Sequence, residues 1–351
     1  MATKDWNYTE SGTAIYLPDG EPRQKLKVTG TRFASILNLN EWSTPFLSWC
    51  EITKTAKLPF EDNMYLQAGR AIEPKVIEYL KRTVSPNVKG PEEYFGNLYS
   101  SLKYDFFPEN KIFGGMWDAV ITNRNGDNIR TIIEIKTTKR AEDWVNGAPD
   151  YYLAQACLYA YLTGAKQIIM SVTILKDEDY AHPENFVVDE TNTKTILYNL
   201  DTVNIAGYSF EQLISMATMW YEHHVKGAVS PEFDEKLDAE ILKILRTAKP
   251  QNDTSLDGII NTLAFKEAEL ARIYAEYNVK ELEDEIDSLK KAVKEYLTEQ
   301  MGDLPKIEYR NWSLTKTDGR RTADVKALMK DGLEDYIKIG NPVLTLRRIS
   351  S

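Results

Sequence analysis

The stretch from Phe113 to Lys136 constrains the fold more than any other part of the chain. A glycine pair, Gly114-Gly115, precedes Asp118, a turn follows at Asn125-Gly126-Asp127, and an apolar run ends in Glu134-Ile135-Lys136. Turn residues between two apolar runs predict a hairpin. Because alternate strand residues share a face, Glu134 and Lys136 project together, and the partner strand brings Asp118 to the same edge. Two carboxylates and an ammonium gathered there suit a divalent cation. Oxygen ligands with no histidine or thiolate nearby favour magnesium or manganese over zinc, and a lysine beside the ion can orient or deprotonate a water. That chemistry suits phosphodiester hydrolysis. Polar residues at strand ends are also ordinary solvated positions, so the hairpin alone leaves both readings open.

The flanks add two elements. Gly69-Arg70-Ala71-Ile72-Glu73 lies upstream in a helix expected from about Asn63 to Lys81, and Gln155-Ala156-Cys157-Leu158-Tyr159 lies downstream in one expected from about Tyr151 to Leu162. The order GxxxE, D, ExK, QxxxY resembles the PD-(D/E)xK nuclease superfamily, in particular its YqaJ-type viral recombinase and lambda-exonuclease-like branch. Val28 to Leu37 followed by Trp42-Ser43-Thr44-Pro45 resembles the N-terminal segment of YqaJ-type proteins. The resemblance covers about residues 25 to 175, with one departure: Trp117 stands where the superfamily has proline before the aspartate.

The resemblance implies an α/β (α+β) restriction-endonuclease-like core, a mixed central sheet flanked by helices, with a helical C-terminal accessory region. It implies that Asp118, Glu134 and Glu73 ligate Mg2+, for which Mn2+ can substitute, with the Ile135 carbonyl at a further position. Lys136 would hold the attacking water, Gln155 would position Lys136 or the phosphate, and Tyr159 would support the site. Lys25, Lys27, Thr31, Arg32 and Ser35, near the first helix, are the candidates for holding a DNA end, and Arg70, Lys139 and Arg140 are cations near the site. The implied activity is 5′-to-3′ digestion of linear duplex DNA, leaving a 3′ single strand for a single-strand annealing protein. Assembly into a ring of like subunits is a further implied option. A structure-specific endonuclease on the same fold, or a non-catalytic DNA-binding scaffold, is compatible with the same residues.

Size and charge bound these readings. At 351 residues the chain exceeds a usual single domain, and 42% hydrophobic with 27% charged residues describes a globular protein. No apolar run approaches the roughly 20 residues needed to span a membrane, and the N-terminus does not read as an export leader. Cys50 and Cys157 form no CxxC, which points to a reducing cytosol and away from zinc or an iron–sulfur cluster. The net charge of -10 sits awkwardly with DNA binding. Local cations matter more than the total, however, because phosphate contacts are local. The acidic run around Glu281 to Asp287 reads as a solvated helix face.

Three regions are expected: an N-terminal arm over 1–24, a nuclease core over 25–230 and an accessory region over 231–351. Strands are expected at about Tyr104–Pro108, Ile112–Thr122, Ile129–Thr137, Gln167–Leu175 and Asn185–Val188, and a helix from Ser209 to Val225. Gly164 reads as a helix stop. His223 and His224, being adjacent, face different sides of a helix and are read as structural. Beyond Pro231, Leu237, Ile241, Ile244 and Leu245 form one helical stripe. Leu282, Ile286, Leu289, Val293 and Tyr296 form another, with heptad spacing that suits either a hairpin within the chain or a joint between subunits. Strands at Ile307–Thr315 and Val343–Ile349 around a helix at Asp324–Lys330 are expected to close the chain.

Overall fold

The structure, a computed structural model, describes residues 7–317 apart from 10, 61, 103, 124, 127, 249–253 and 275–279, together with 321–323, 337–339 and 343–348. It divides into two compact units, with the boundary after Ile241.

In the first unit, the helices start where local chemistry allows. Helix α1 runs Gly30–Ile36 and α2 runs Pro45–Ile52. The Trp-x-x-Pro segment is the start of α2: the Thr44 hydroxyl accepts from the Leu47 amide at 3.0 Å, and Pro45 occupies the first helical position, where no amide hydrogen is needed. Helix α3, Met64–Thr83, is capped by the Asn63 side chain, which accepts from the amides of Tyr65 and Leu66, both at 3.1 Å. Its residues Ala68, Ile72, Val76 and Leu80, spaced one turn apart, are fully buried.

The sheet has five strands in spatial order β1 Val88–Lys89, β2 Ala119–Thr122, β3 Ile129–Thr138, β4 Gln167–Ile174 and β5 Thr193–Asn199. Only β3 and β4 run parallel; the other neighbours are antiparallel. A parallel pair needs a crossover, and helix α4, Asp150–Thr163, supplies it, ending at Gly164 in the left-handed conformation. Ile133 and Ile135 of β3 pack with Ala119 against Ala68, Ile72 and Val76, so α3 covers that face. The opposite face, carrying Glu134 and Lys136, is left for α4. This is the mixed sheet flanked by helices that the motif order implies.

Three strand expectations change. Tyr104–Pro108 is a loop, because the Asp105 side chain takes the amides of Phe107 (3.0 Å) and Gly115 (3.1 Å) and so competes with any ladder. Of the run Ile112–Thr122 only Ala119–Thr122 is strand; Phe113 makes an isolated bridge to Val28, and Gly115 at φ 127° interrupts the extended chain. Around Asn185 there is a 3-10 turn, Pro183–Asn185, and no strand at Asn185–Val188; the strand is instead Thr193–Asn199. The next helix, α5 Phe210–Trp220, continues as π-helix over Tyr221–Lys226, and the His224 ring stays structural, its Nδ1 2.9 Å from the Val229 carbonyl.

Of the stripe Leu237, Ile241, Ile244 and Leu245, the last three fall on the short helix Ala239–Leu245, whereas Leu237 lies in the turn before it and is exposed. In the second unit, helices α6, Thr254–Tyr274, and α7, Lys280–Met301, lie with a sheet made of β6 Thr247–Ala248, β7 Lys306–Tyr309, β8 Trp312–Thr317 and β9 Val343–Arg348. The heptad seam packs within the chain: Ile286 and Val293 are buried, and Leu289 and Tyr296 partly buried, with Leu256, Ile260, Leu263, Ile307 and Leu314. The helix expected at Asp324–Lys330 lies outside the described residues. No helix among the described residues is long and apolar enough to cross a membrane.

Candidate active site

Glu134 is the centre of the site. It is fully buried, and its Oε1 accepts from Lys136 Nζ at 2.5 Å and from Gln155 Nε2 at 2.6 Å. Strand alternation puts Glu134 and Lys136 on one face, and Gln155 reaches them from α4. Asp118 stands just before β2, where the register pairing Ala119 with Ile133 sets it beside the end of β3. Its Oδ2 accepts from the Ile135 amide at 2.7 Å. Glu134 Oε2 is different: it is buried and has no hydrogen-bond partner.

Supporting residues explain the small side chains of the motifs. Tyr159 is 4% exposed and hydrogen-bonds with the backbone of Gly30 and Met116. At Gly30 a Cβ would lie 2.3 Å from Gln155 Cγ and 2.7 Å from the Tyr159 hydroxyl, so only glycine lets α1 approach α4 this closely. Trp117, the departure from the superfamily's proline, is buried among Tyr94, Phe95 and Phe106 with ring centroids 5.1–5.5 Å away. Aromatic packing thus holds the backbone that leads into Asp118. Sequence reasoning did not single out Tyr152, whose ring centroid lies 4.8 Å from Lys136 Nζ; its place three residues before Gln155 was the available signal.

The electrostatics follow from burial. Glu134 is pushed up to about 8, first by burial and then by the Asp118 charge, with Lys136 opposing. Glu73 is pushed up to about 7 by burial and by Asp118. Burial also raises Asp118 against the opposing pull of Lys136 and the Ile135 amide. Burial would lower the Lys136 ammonium, but Glu134 and Asp118 outweigh it and hold the group above its ordinary value. The three carboxylates therefore feel one another's charge. They are not gathered as tightly as a finished ligand set: among the described residues no group of three or more His, Cys, Asp and Glu side chains stands in metal-holding proximity.

The residues expected to meet DNA are placed as follows. Lys27 is tied to Asp105 (2.5 Å) and to the Phe107 carbonyl (2.6 Å), and Arg32 to Glu51 (3.0 Å). Ser35 is buried and donates to the Thr31 carbonyl, a bond internal to α1 that leaves no exposed hydroxyl. Lys25 pairs with Glu21, and Thr31 is exposed. Arg70 is exposed and pairs with Asp62, Lys139 is half-exposed and pairs with Asp177, and Arg140 lies over the Trp42 ring at 5.1 Å. Cys50 and Cys157 are free, buried thiols.

Buried Glu134 and half-buried Asp118, with Lys136 adjoining, thus sit together on a mixed sheet between helices. Residues 21–166 match the model of the YqaJ-like viral recombinase domain. Over longer stretches, the chain is 26% identical across 256 residues to the uncharacterized protein MG373 of Mycoplasma genitalium, covering 62% of this chain and 86% of that one. It is likewise 26% identical across 248 residues to the Mycoplasma pneumoniae homolog, covering 59% and 83%. Among solved structures, it is similar to the alkaline exonuclease LHK-Exo of Laribacter hongkongensis (16% identity, 63% of this chain, 92% of that one, TM-score 0.36). It is also similar to a phage-related exonuclease of Haemophilus somnus (17% identity, 57% and 95%, TM-score 0.34).

Proposed function

We propose that this protein is a metal-dependent deoxyribonuclease that digests linear duplex DNA from its ends, in the 5′-to-3′ direction, and leaves a 3′ single strand for an annealing protein. The observation that carries the reading is Glu134 Oε2. A buried carboxylate oxygen without a partner is costly unless a proton or a cation meets it. The donors around it are oxygens, which suits Mg2+ or Mn2+. Asp118 and Glu134 would hold the ion, with the Ile135 carbonyl and Glu73 contributing directly or through water; Mg2+ commonly keeps several waters, so a full protein cage is not required. When bound, the metal supplies a water of lowered pKa and offsets charge developing on the phosphate.

The chain's own residues do the rest. Glu134 holds the Lys136 ammonium through Oε1, and Gln155 fixes the orientation of that carboxylate. Lys136, charged in this setting, is a donor that can orient a water toward the phosphate and stabilise added negative charge. Asp118 is oriented by the Ile135 amide. Direction of digestion and the annealing partner rest on the family resemblance.

The test is digestion of linear and closed circular duplex, with Mg2+ present or chelated. Linear DNA should be consumed only with metal, and circles should survive; cleavage of circles would make the protein an endonuclease. Asp118→Ala and Glu134→Ala should each lose turnover while staying folded by circular dichroism. Duplexes labelled at one end or the other decide polarity, since early release of 3′ nucleotides contradicts it.

A further inference from the structure

A row of contacting side chains leads away from the site to an exposed aromatic surface. Lys136 sits over Tyr152, the rings of Tyr152 and Tyr151 have centroids 4.1 Å apart, and Tyr151 hydrogen-bonds with the Trp42 side chain. Trp42 is 61% exposed, and Arg140 lies over its ring at 5.1 Å. Trp42 also lines a cleft of about 350 Å³, on the scale of one nucleoside, together with Asn38, Glu41, Thr44, Asp238 and Glu240.

We propose that this cleft is a subsite for one unpaired nucleobase carrying an exocyclic amine, stacked on Trp42, in the DNA strand whose phosphate lies at Glu134 and Lys136. The assignment rests on the nuclease reading for the position of the phosphate. The occupant follows from the cleft's chemistry. Every base offers a π-face to an exposed indole, and arginine beside the ring adds a cation at the strand's backbone. The exposed Glu41 and Glu240 would repel a phosphate inside the cleft, so the base enters and the backbone stays outside, on the Arg140 side; Asp238, buried at the wall, already accepts from the Thr44 hydroxyl and the Asp234 amide. Carboxylates accept from the amine of cytosine, adenine or guanine, whereas thymine offers none there. Continuity through Tyr151 and Tyr152 puts the cleft on the path of a strand leaving Lys136.

The experiment measures binding of short single-stranded oligo-dC and oligo-dT to the full chain in chelator, by anisotropy of an end label, for the parent, Trp42→Ala, Trp42→Phe and Arg140→Ala. Because no turnover is involved, the result stands whether or not the protein hydrolyses DNA. The expected result is about a tenfold or greater loss of oligo-dC affinity in Trp42→Ala, with most of it retained in Trp42→Phe. Arg140→Ala should also weaken oligo-dC binding, and the parent should prefer oligo-dC to oligo-dT. Parent-like affinity in Trp42→Ala, equal losses in the alanine and phenylalanine variants, or equal affinity for the two oligonucleotides would overturn the proposal. Should Trp42→Ala fail to fold, unchanged binding by Arg140→Ala and a parental preference absent between dC and dT would overturn it equally.

Discussion

At the scale of single residues, the site is governed by carboxylates kept out of water. Glu134 and Glu73 are raised to about 8 and about 7, against ordinary values near 4.5. Between those limits the folded chain binds more protons than the unfolded one, so stability in chelator should fall as pH rises from about 5 to about 8. A divalent cation competes with the same protons. Thermal unfolding should therefore show Mg2+ raising Tm more at pH 8 than at pH 5, and Glu134→Gln should flatten the pH slope measured without metal. A Tm that climbs steadily over this interval in chelator would contradict the shifts. Gly30→Ala is the second test at this scale: its Cβ would meet Gln155 Cγ at 2.3 Å. Displacing Gln155 and Tyr159 frees Glu134 and overpacks the α1–α4 contact, so activity should drop together with about 1–3 kcal/mol of stability, and the readout is kcat set beside Tm.

Elements carry the next level. The face of β3 that holds Ile133 against α3 is apolar and tightly packed, with both Ile133 and Val76 fully buried. Ile133→Ala should cost about 2–5 kcal/mol in chemical denaturation through the cavity it leaves. This level also shows what the sequence displays and what it hides. α3, α4, β3 and β4 were legible because their apolar periods are long and their ends are marked by Asn63, Gly164 and the Asn-Gly turn. The short strand β2 was overextended, since the apolar run Ile112–Thr122 contains Gly115, and a positive φ at glycine is invisible to a pattern of hydrophobicity. The loop at Tyr104 was misread because Asp105 acts through side-chain bonds to distant amides, which no local window contains. Edge strand β5 was missed for the converse reason: Thr193 to Asn199 is half solvated, and its alternation is weak. In the site, Asp118, Glu134 and Lys136 stand together as the hairpin spacing suggests, whereas Gln155 was pointed to only by the family resemblance. The internal ion pairs of Lys27 and Arg32 were not legible, because their partners Asp105 and Glu51 lie 78 and 19 residues away.

For the whole molecule, two units with separate cores share one chain. The second unit has its own apolar centre from Leu256 to Leu314, so its helices need no partner subunit to bury the heptad seam. Any assembly into a ring would then use other surfaces, and sedimentation of the full chain across concentrations would reveal it. The partnerless oxygen of Glu134 has a consequence at this scale too. Reserving an unsatisfied acceptor in a dry interior weakens the apo fold, but Oε1 of the same carboxylate holds the buried Lys136 ammonium, so a lineage selected for heat tolerance alone would have to surrender the two charges together. Glu134→Leu alone should melt lower than the parent in chelator because it strands the buried Lys136 ammonium, and the double change Glu134→Leu with Lys136→Met should recover that loss; durability and competence would be opposed at one ion pair.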